Sequence, residues 1–399
     1  MRIIHILNYF QPKVGYQETF LAKEHAKSGH EVYVVTSDRY SSSLYAVNTL
    51  KPVTGGGIKG AGFFIEEGIK VWRLKTLFEL PYQVWMLKLE SKIKELKPDI
   101  VIMHDIVNLT ALRIARLKKK LGNFKLIYDD HMTFGLSTSK LRILYPLFKW
   151  TFSRLIQQAA DALIAITPET KIFMHKKYGI PPERIAVIPL GADDTLFKLD
   201  VLSRQETRNK LSLNETDIVF IYTGKIYTGK RLGLLIRAMK LMGNYNDLKV
   251  LLVGNGPQTY IEELKQNIKA ENLEDRFIWH DAVPNKELYK FYSAADVAIW
   301  PHGPSISMRE AMACSLPIII SEGSAVTELV DYNNGLICQE ENASDLSQQM
   351  EKLLDPQLRR EMGQRSRKLV EEKFSWRIIA RQFIELVETP CGPRETNQR

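Results

Sequence analysis

The sequence predicts an α/β protein of two doubly wound, Rossmann-like domains facing each other across a cleft. Three observations carry this. Short apolar runs alternate with stretches of helical period, and the alternation runs twice, before and after about residue 190. At 399 residues the chain is long for a single hydrophobic core. Several apolar runs end in Gly, Ser or His-Asp loops, and open parallel sheets bind ligands at the carboxyl ends of their strands. The expected division is residues 1–190, residues 191–388 and a loose tail 389–399, where Pro390, Gly392 and Pro393 break any period. The last helix is a candidate to cross back to the first domain.

Hydrophobic residues make up 45% of the chain and charged residues 25%, the balance of a soluble globular protein. No stretch approaches the ~18 apolar residues of a membrane-spanning helix. Residues 1–7 are apolar but too few for a signal peptide, and they read as a buried first strand. Cys314, Cys338 and Cys391 are far apart and odd in number, so neither a disulfide framework nor a zinc site is expected, which favours a reducing cytoplasm. A net charge of +9 favours anionic partners, either phosphates or the anionic surface of a membrane. No DNA- or RNA-binding motif accompanies it, so nucleic acid is not an expected partner.

In the first half, residues 2–7 are a strand, 8–15 its loop, 18–28 an amphipathic helix stopped by Gly29, and 31–36 the next strand. Gly15 lets the backbone approach a ligand at the strand's carboxyl end. The loop 8–15 carries no G-x-G-x-x-G, so the dinucleotide fingerprint is absent after this first strand. Residues 41–67 are a long polar, glycine-rich insertion, of a kind that is either functional or disordered. There follow a strand (68–74), a helix (80–96) and a strand (99–103) ending in His104-Asp105. A helix (109–121) then leads to a strand (125–128) ending in Asp129-Asp130-His131. Two histidines at equivalent strand ends suit a binding site, whereas a lone one there is more often structural. Residues 141–160 mix aromatic and aliphatic side chains with Arg142, Lys149 and Arg154. That composition suits an anionic membrane surface or a core helix with snorkelling cations equally. A strand (161–167), a helix to Tyr178 and a strand (184–189) close the half.

The second half restarts with a strand (218–224), a loop carrying Lys225, Lys230 and Arg231, and a helix (232–241). Three cations between strand and helix suit a diphosphate or a solvated turn, and their spacing is not that of a P-loop. Strands at 249–253, 277–280 and 296–300 follow, with Gly254-Asn255-Gly256-Pro257 as a tight turn and a helix at 285–294. After Trp300 a Pro/Gly/Ser loop runs into a helix opening at about Ser307, with Glu310 spaced for a capping box. The amides of such a helix start suit an anion, phosphate above all, and an ordinary capped helix reads from the same residues. Strands at 316–320 and 336–338 and helices at 343–354, 357–373 and 375–388 complete the chain.

On these residues the chain resembles glycosyltransferase family 4, the sugar-nucleotide transferases of GT-B fold, over about residues 1–388. The matching pieces are Pro12 to Glu18 with Gly29-His30-Glu31-Val32, Ala159-Ala160-Asp161 with residues 182–191, and Gly224-Lys225 with Lys230. Further matches are Val253 to Pro257, Glu310 to Ala313, and Glu328. Their order and spacing are specific together. The resemblance implies a nucleoside-diphosphate sugar as donor substrate, a hydroxyl on a glycan or lipid-linked acceptor, retention of anomeric configuration, and no metal or other cofactor. It implies that Lys225 and Lys230 hold the donor diphosphate, that Gly15 approaches it, and that Glu310 takes the ribose hydroxyls. Ser305, Ile306 and Ser307 then offer amides, and Gly254 and Glu328 complete the donor side. His131 matches the histidine beside the donor sugar, so His131, Lys225, Lys230 and Glu310 form the expected catalytic set. Glu18 and His104 fall on the acceptor side.

The implied role is hexose transfer in polysaccharide, lipopolysaccharide or glycolipid synthesis, in the cytoplasm or peripherally on the inner face of the membrane. A nucleotide-sugar epimerase on the same fold, and a non-catalytic nucleotide-sugar-binding member, are the alternatives. The chain also departs from the family pattern. His302 stands where the first glutamate of E-x7-E belongs, Lys225 where Arg is usual, and Arg231 where Gly is usual. Lys keeps the charge and loses the bidentate fork, and Arg231 is the candidate to supply the lost contact.

Overall fold

The computed structural model describes residues 1–40, 57–80, 83–134, 144–243, 245–322 and 326–388, with the backbone alone for Leu144. The tail, residues 41–56 of the insertion and residues 141–143 of the basic aromatic segment therefore lie outside the described residues.

The first sheet has β1 (Arg2–Ile6), β2 (Glu31–Ser37), β3 (Gly62–Glu66) and β4 (Ile69–Leu74), then, after a hairpin of β5 (Thr76–Leu80) and β6 (Gln83–Met86), β7 (Ile100–His104), β8 (Lys125–Asp130), β9 (Ala162–Ala165) and β10 (Ile185–Val187). Its strand order is β10-β9-β8-β7-β1-β2-β4-β3, parallel except for β3 against β4. The strands are apolar on both faces because helices cover both. Ile3, Val32, Val34, Ile100 and Ile102 enter one core, and Ile4, Ile6, Val35, Val101 and Met103 the other.

The second sheet has β11 (Ile218–Thr223), β12 (Leu248–Val253), β13 (Phe277–His280), β14 (Val297–Trp300), β15 (Ile318–Ser321) and β16 (Gly335–Cys338), in the order β13-β12-β11-β14-β15-β16 and all parallel. Two Rossmann-like domains result, the GT-B architecture. The last helix, Trp376–Glu388, does cross back. Trp376, Ile379, Ala380 and Phe383 enter the first domain's core, and Trp376 stacks on Phe20 with centroids 5.3 Å apart. Division by chain order placed this helix in the second domain, and its packing belongs to the first. The outward and returning strands of chain run side by side, joined by a parallel bridge between Ala192 and Ser375.

Two local readings are corrected. Residues 80–96 are not one helix: the β5–β6 hairpin takes the start, and the helix is Leu89–Leu96. Phe78 and Trp85 stack across the hairpin at 5.8 Å, a cross-strand aromatic pair that helical periodicity concealed. Part of the polar insertion is β3, which Arg73 ties down by a pair of hydrogen bonds to Glu66 at 2.6 and 2.8 Å. The segment from residue 144 to 160 divides into helices Leu144–Thr151 and Ser153–Ala159. Tyr145, Phe148 and Ile156 enter the core, while Leu147 and Trp150 face solvent at 55% and 86% exposure.

Candidate active site

Each sheet reverses its winding at a central strand: β1 lies between β2 and β7, and β11 between β12 and β14. Loops diverge there and leave a crevice at the strands' carboxyl ends. Both crevices open on one cleft of about 500 Å³. Gly15 and His131 line it from the first domain; Lys225, Lys230, Gly254, Ser305, Ile306, Ser307 and Glu310 line it from the second.

The second domain's wall is built on β11. Beyond Thr223 the chain turns at Gly224, with φ of 134°, and delivers Lys225 and then Lys230 in the short 3-10 turn Thr228–Lys230. Lys230 is buried, and its ammonium donates to the Pro304 carbonyl at 3.0 Å. Burial and the neighbouring Lys225 push its pKa down to about 8, and burial also lowers that of Lys225. Gly303, with φ of 75°, makes room: a Cβ there would lie 3.1 Å from the Lys230 ammonium. A Cβ on Gly254 would lie 1.9 Å from the Gly224 carbonyl oxygen, so the turn after β12 packs backbone on backbone against the turn after β11.

Glu310 is buried on the helix Ser307–Ala313. Asn285 Nδ2 donates to its carboxylate at 2.7 Å, and the Tyr292 hydroxyl lies 3.5 Å from its other oxygen. Burial, only partly offset by these two donors, raises its pKa to about 7. The expected capping box does not form. Ser307 is the first helical residue, and its hydroxyl pairs with Ser305 and with the Thr223 carbonyl at 3.3 Å, while Glu310 is drawn to Asn285 and Tyr292. The helix has seven residues, so the two lysines carry most of this wall's positive charge.

Across the cleft, Gly15 adopts φ of 77°, and a Cβ there would come within 2.5 Å of the Asn285 side chain. His131 follows β8, with Nε2 4.0 Å from Asp129 Oδ2. Glu18, His104 and Glu328 are not among the lining residues. His104 is buried behind the wall, held by Asp129 at 2.8 Å and His5 at 3.1 Å. Glu18 stands beside His104, Asp129 and Asp105, and burial pushes its pKa up to about 7. Glu328 neighbours the buried Arg309, whose guanidinium lies 5.2 Å from the Phe374 ring centre.

Nor does Arg231 supply a cleft contact. Its guanidinium is bound to Glu340 at 2.7 Å and Glu341 at 3.0 Å. His302 turns the same way, 3.4 Å from Glu340. Among the described residues no His, Cys, Asp or Glu cluster has metal-binding geometry. Sequence reasoning missed Asn285 and Tyr292, and gave no role to Gln17, whose side-chain amide donates to Asp129 at 3.0 Å. Asn285, directly after Pro284, signalled only a helix start, and its reach to Glu310 depends on the packing of two separate helices.

Residues 203–369 match the model for glycosyl transferases group 1, and residues 19–196 that for Glycosyltransferase Family 4. A D-inositol 3-phosphate glycosyltransferase of Xylanimonas cellulosilytica is 29% identical over 187 residues, 45% of this chain and 45% of that protein. An uncharacterized glycosyltransferase of Methanocaldococcus jannaschii is 21% identical over 386 residues, 92% of this chain and 91% of that one. The chain thus matches about half the length of the first relative and nearly all of the second. Anabaena HepE, solved in complex with UDP, shares the fold with a TM-score of 0.75 at 18% identity, over 98% of this chain and 100% of that one. With one family model on each domain, the chain belongs to the group 1, family 4 glycosyltransferases.

Proposed function

We propose that this protein transfers a hexose-type sugar from a nucleoside-diphosphate sugar to a hydroxyl acceptor, with retention of anomeric configuration and without a metal. One observation carries the reading: two desolvated lysines and a steered carboxylate line the same cleft as His131. The leaving group is a nucleoside diphosphate, so stabilising its growing negative charge is the main electrostatic task. In this reading Lys225 and Lys230 meet that charge, and the anchoring of Lys230 on the Pro304 carbonyl supports the role. Glu310 accepts the ribose hydroxyls, with Asn285 fixing its direction.

Among the described residues lining the cleft, Glu310 is the only carboxylate, and it is held in the donor wall. On this reading no second acid among the described lining residues is available to attack the anomeric carbon. A front-face displacement follows. The anomeric carbon–phosphate bond breaks through an oxocarbenium-like transition state. The acceptor oxygen bonds on the same face, and its proton passes to the departing phosphate oxygen. The lone carboxylate also disfavours an epimerase, which needs groups for elimination and proton return; turnover of donor without acceptor separates the two.

The acceptor in this reading is a glycan or lipid-linked hydroxyl in polysaccharide, lipopolysaccharide or glycolipid assembly. Its support is the +9 net charge together with exposed Leu147 and Trp150 on the first domain, which suit an anionic membrane face. Among the described residues no helix is long and apolar enough to cross a membrane. A thermal-shift screen over nucleotide sugars, uridine donors first, identifies the donor. Transfer is then assayed in the Lys225→Ala/Lys230→Ala enzyme, which is expected to be folded and inactive; an active double variant rejects the proposal.

A further inference from the structure

A buried file of imidazoles runs behind the cleft wall, and the transfer chemistry above makes no use of it. His25 Nε2 meets the carbonyl of Ala380 at 2.9 Å, and His25 Nδ1 meets His5 Nε2 at 3.2 Å. His5 Nδ1 meets His104 Nε2 at 3.1 Å, and His104 Nδ1 meets Asp129 Oδ2 at 2.8 Å. The three rings are 1%, 0% and 6% exposed, so the file is sheltered from bulk solvent along its length. The file joins the crossing helix to β8, beyond whose end His131 lies 4.0 Å from the same Asp129 oxygen.

Both ends of the file are acceptors, a carbonyl and a carboxylate. Each of its four links needs one proton, and three neutral imidazoles bring three. If every ring were neutral and donated toward Ala380, the bare Nδ1 of His104 would face the bare oxygen of Asp129. We propose that the file holds one proton more than three neutral rings, seated on His104, so that the His104 imidazolium fixes Asp129 as a carboxylate beside His131 and serves as a positioning residue for the cleft.

The surrounding charges agree. Burial works against charge on His104, but Asp129, Glu18 and Asp105 raise its pKa on balance. Burial likewise works against the Asp129 anion, but His104, His131 and the Asp105 amide lower its pKa on balance. Gln17 adds a donor to Asp129 at 3.0 Å. His5, facing His25 and His104, is pushed well down, and His25, facing also His30, is pushed down to about 4, both chiefly by burial. The Ala380 carbonyl is what forces the count. Without that end the file can reverse, with His25 donating to His5, His5 to His104, and a neutral His104 to Asp129.

His25→Leu removes the link to Ala380 and releases the extra proton. His25→Gln keeps a donor toward the carbonyl and an acceptor toward His5, so it retains the proton. The test is NMR of ring nitrogens in the full chain labelled at histidine, at pH about 8, where an ordinary histidine is neutral. One buried, doubly protonated ring is expected in the wild type and in His25→Gln, and none in His25→Leu. Three neutral buried rings in the wild type overturn the proposal, as does a doubly protonated ring that survives in folded His25→Leu. Should His25→Leu not fold, the wild-type and His25→Gln spectra decide. The positioning role rests on the transferase reading: His25→Leu is expected to lower kcat roughly tenfold with donor KM unchanged, and His25→Gln to restore it. An unchanged kcat in His25→Leu overturns that role. A wild type with the imidazolium but no transfer overturns the transferase reading alone.

Discussion

Asn285 donates to Glu310 at 2.7 Å, and its side chain stands 2.5 Å from where a Cβ on Gly15 would sit. The first domain's loop thus rests on the residue that steers the second domain's carboxylate. Gly15→Ala acts twice. The left-handed backbone costs a non-glycine residue about 1–2 kcal/mol, and the methyl displaces Asn285 from Glu310. We expect donor KM to rise and kcat/KM to fall by about tenfold or more. Asn285→Ala should reproduce the KM effect without the backbone strain. A Gly15→Ala enzyme with the wild-type KM would remove Asn285 from the donor site.

Trp150 is 86% exposed and Leu147 55%, on a helix whose Tyr145 and Phe148 are already buried in the first domain's core. Replacing Leu147 and Trp150 by Ser should therefore leave stability nearly unchanged. On the proposed reading it lowers partition onto anionic vesicles by about tenfold or more, since a buried large side chain contributes about 1.5–3 kcal/mol. The binding that survives should weaken with added salt. Cosedimentation at low ionic strength checks both points, and equal binding by wild type and variant counts against a membrane-facing helix.

Gly254 is a packing position, and on the proposed reading its replacement also reaches the donor wall. A Cβ there would lie 1.9 Å from the Gly224 oxygen, which is backbone and cannot rotate away. Gly254→Ala must push apart the turns that follow β11 and β12, and Lys225 sits on the first of them. Overpacking of this kind costs about 1–3 kcal/mol, so the denaturant midpoint should fall together with donor affinity. Loss of affinity at an unchanged midpoint would mean that the turn moves without strain.

What the sequence made legible follows from how local each signal is. The runs at 100–103 and 218–221 are apolar at every position because both faces of their strands are covered, and this alone marks buried parallel strands. Gly15, Lys225, Lys230 and Glu310 could be placed near strand ends for the same reason. The β5–β6 hairpin was hidden because its leucines and aromatics also fit a helical period. The capping box at Ser307 was misread because Asn285 and Tyr292, on another helix, compete for Glu310. The histidine file was illegible for a stronger reason. His5 meets His104 only because β1 and β7 pair in the register His5 to Ile102, and it meets His25 only through packing of the following helix. No spacing along the chain encodes either contact.

Two titratable groups in the cleft have their pKa values displaced toward each other, so donor capture should depend on pH. Burial pushes the pKa of Glu310 up to about 7, and burial with Lys225 pushes that of Lys230 down to about 8. Donor capture, as proposed, needs Glu310 as an acceptor of ribose hydroxyls and Lys230 as a cation toward the diphosphate. Glu310 is ionised above about 7 and Lys230 is charged below about 8. Since kcat/KM reports the free enzyme, its profile should be a bell with its maximum between these values, falling about tenfold per pH unit outside them. Lys230→Arg keeps its charge throughout and should lose the alkaline limb at a lower plateau, because the Pro304 contact is not reproduced. Glu310→Gln should lose the acid limb. Stability runs the other way. A carboxyl raised from 4.5 favours the folded state as pH falls below about 7. A lysine lowered from 10.5 favours it as pH rises above about 8. These two groups therefore stabilise the unliganded protein least where it captures donor best, and a bound nucleoside diphosphate should raise the melting temperature most in that same window. A flat kcat/KM profile from pH about 6 to about 9 would remove both groups from donor capture.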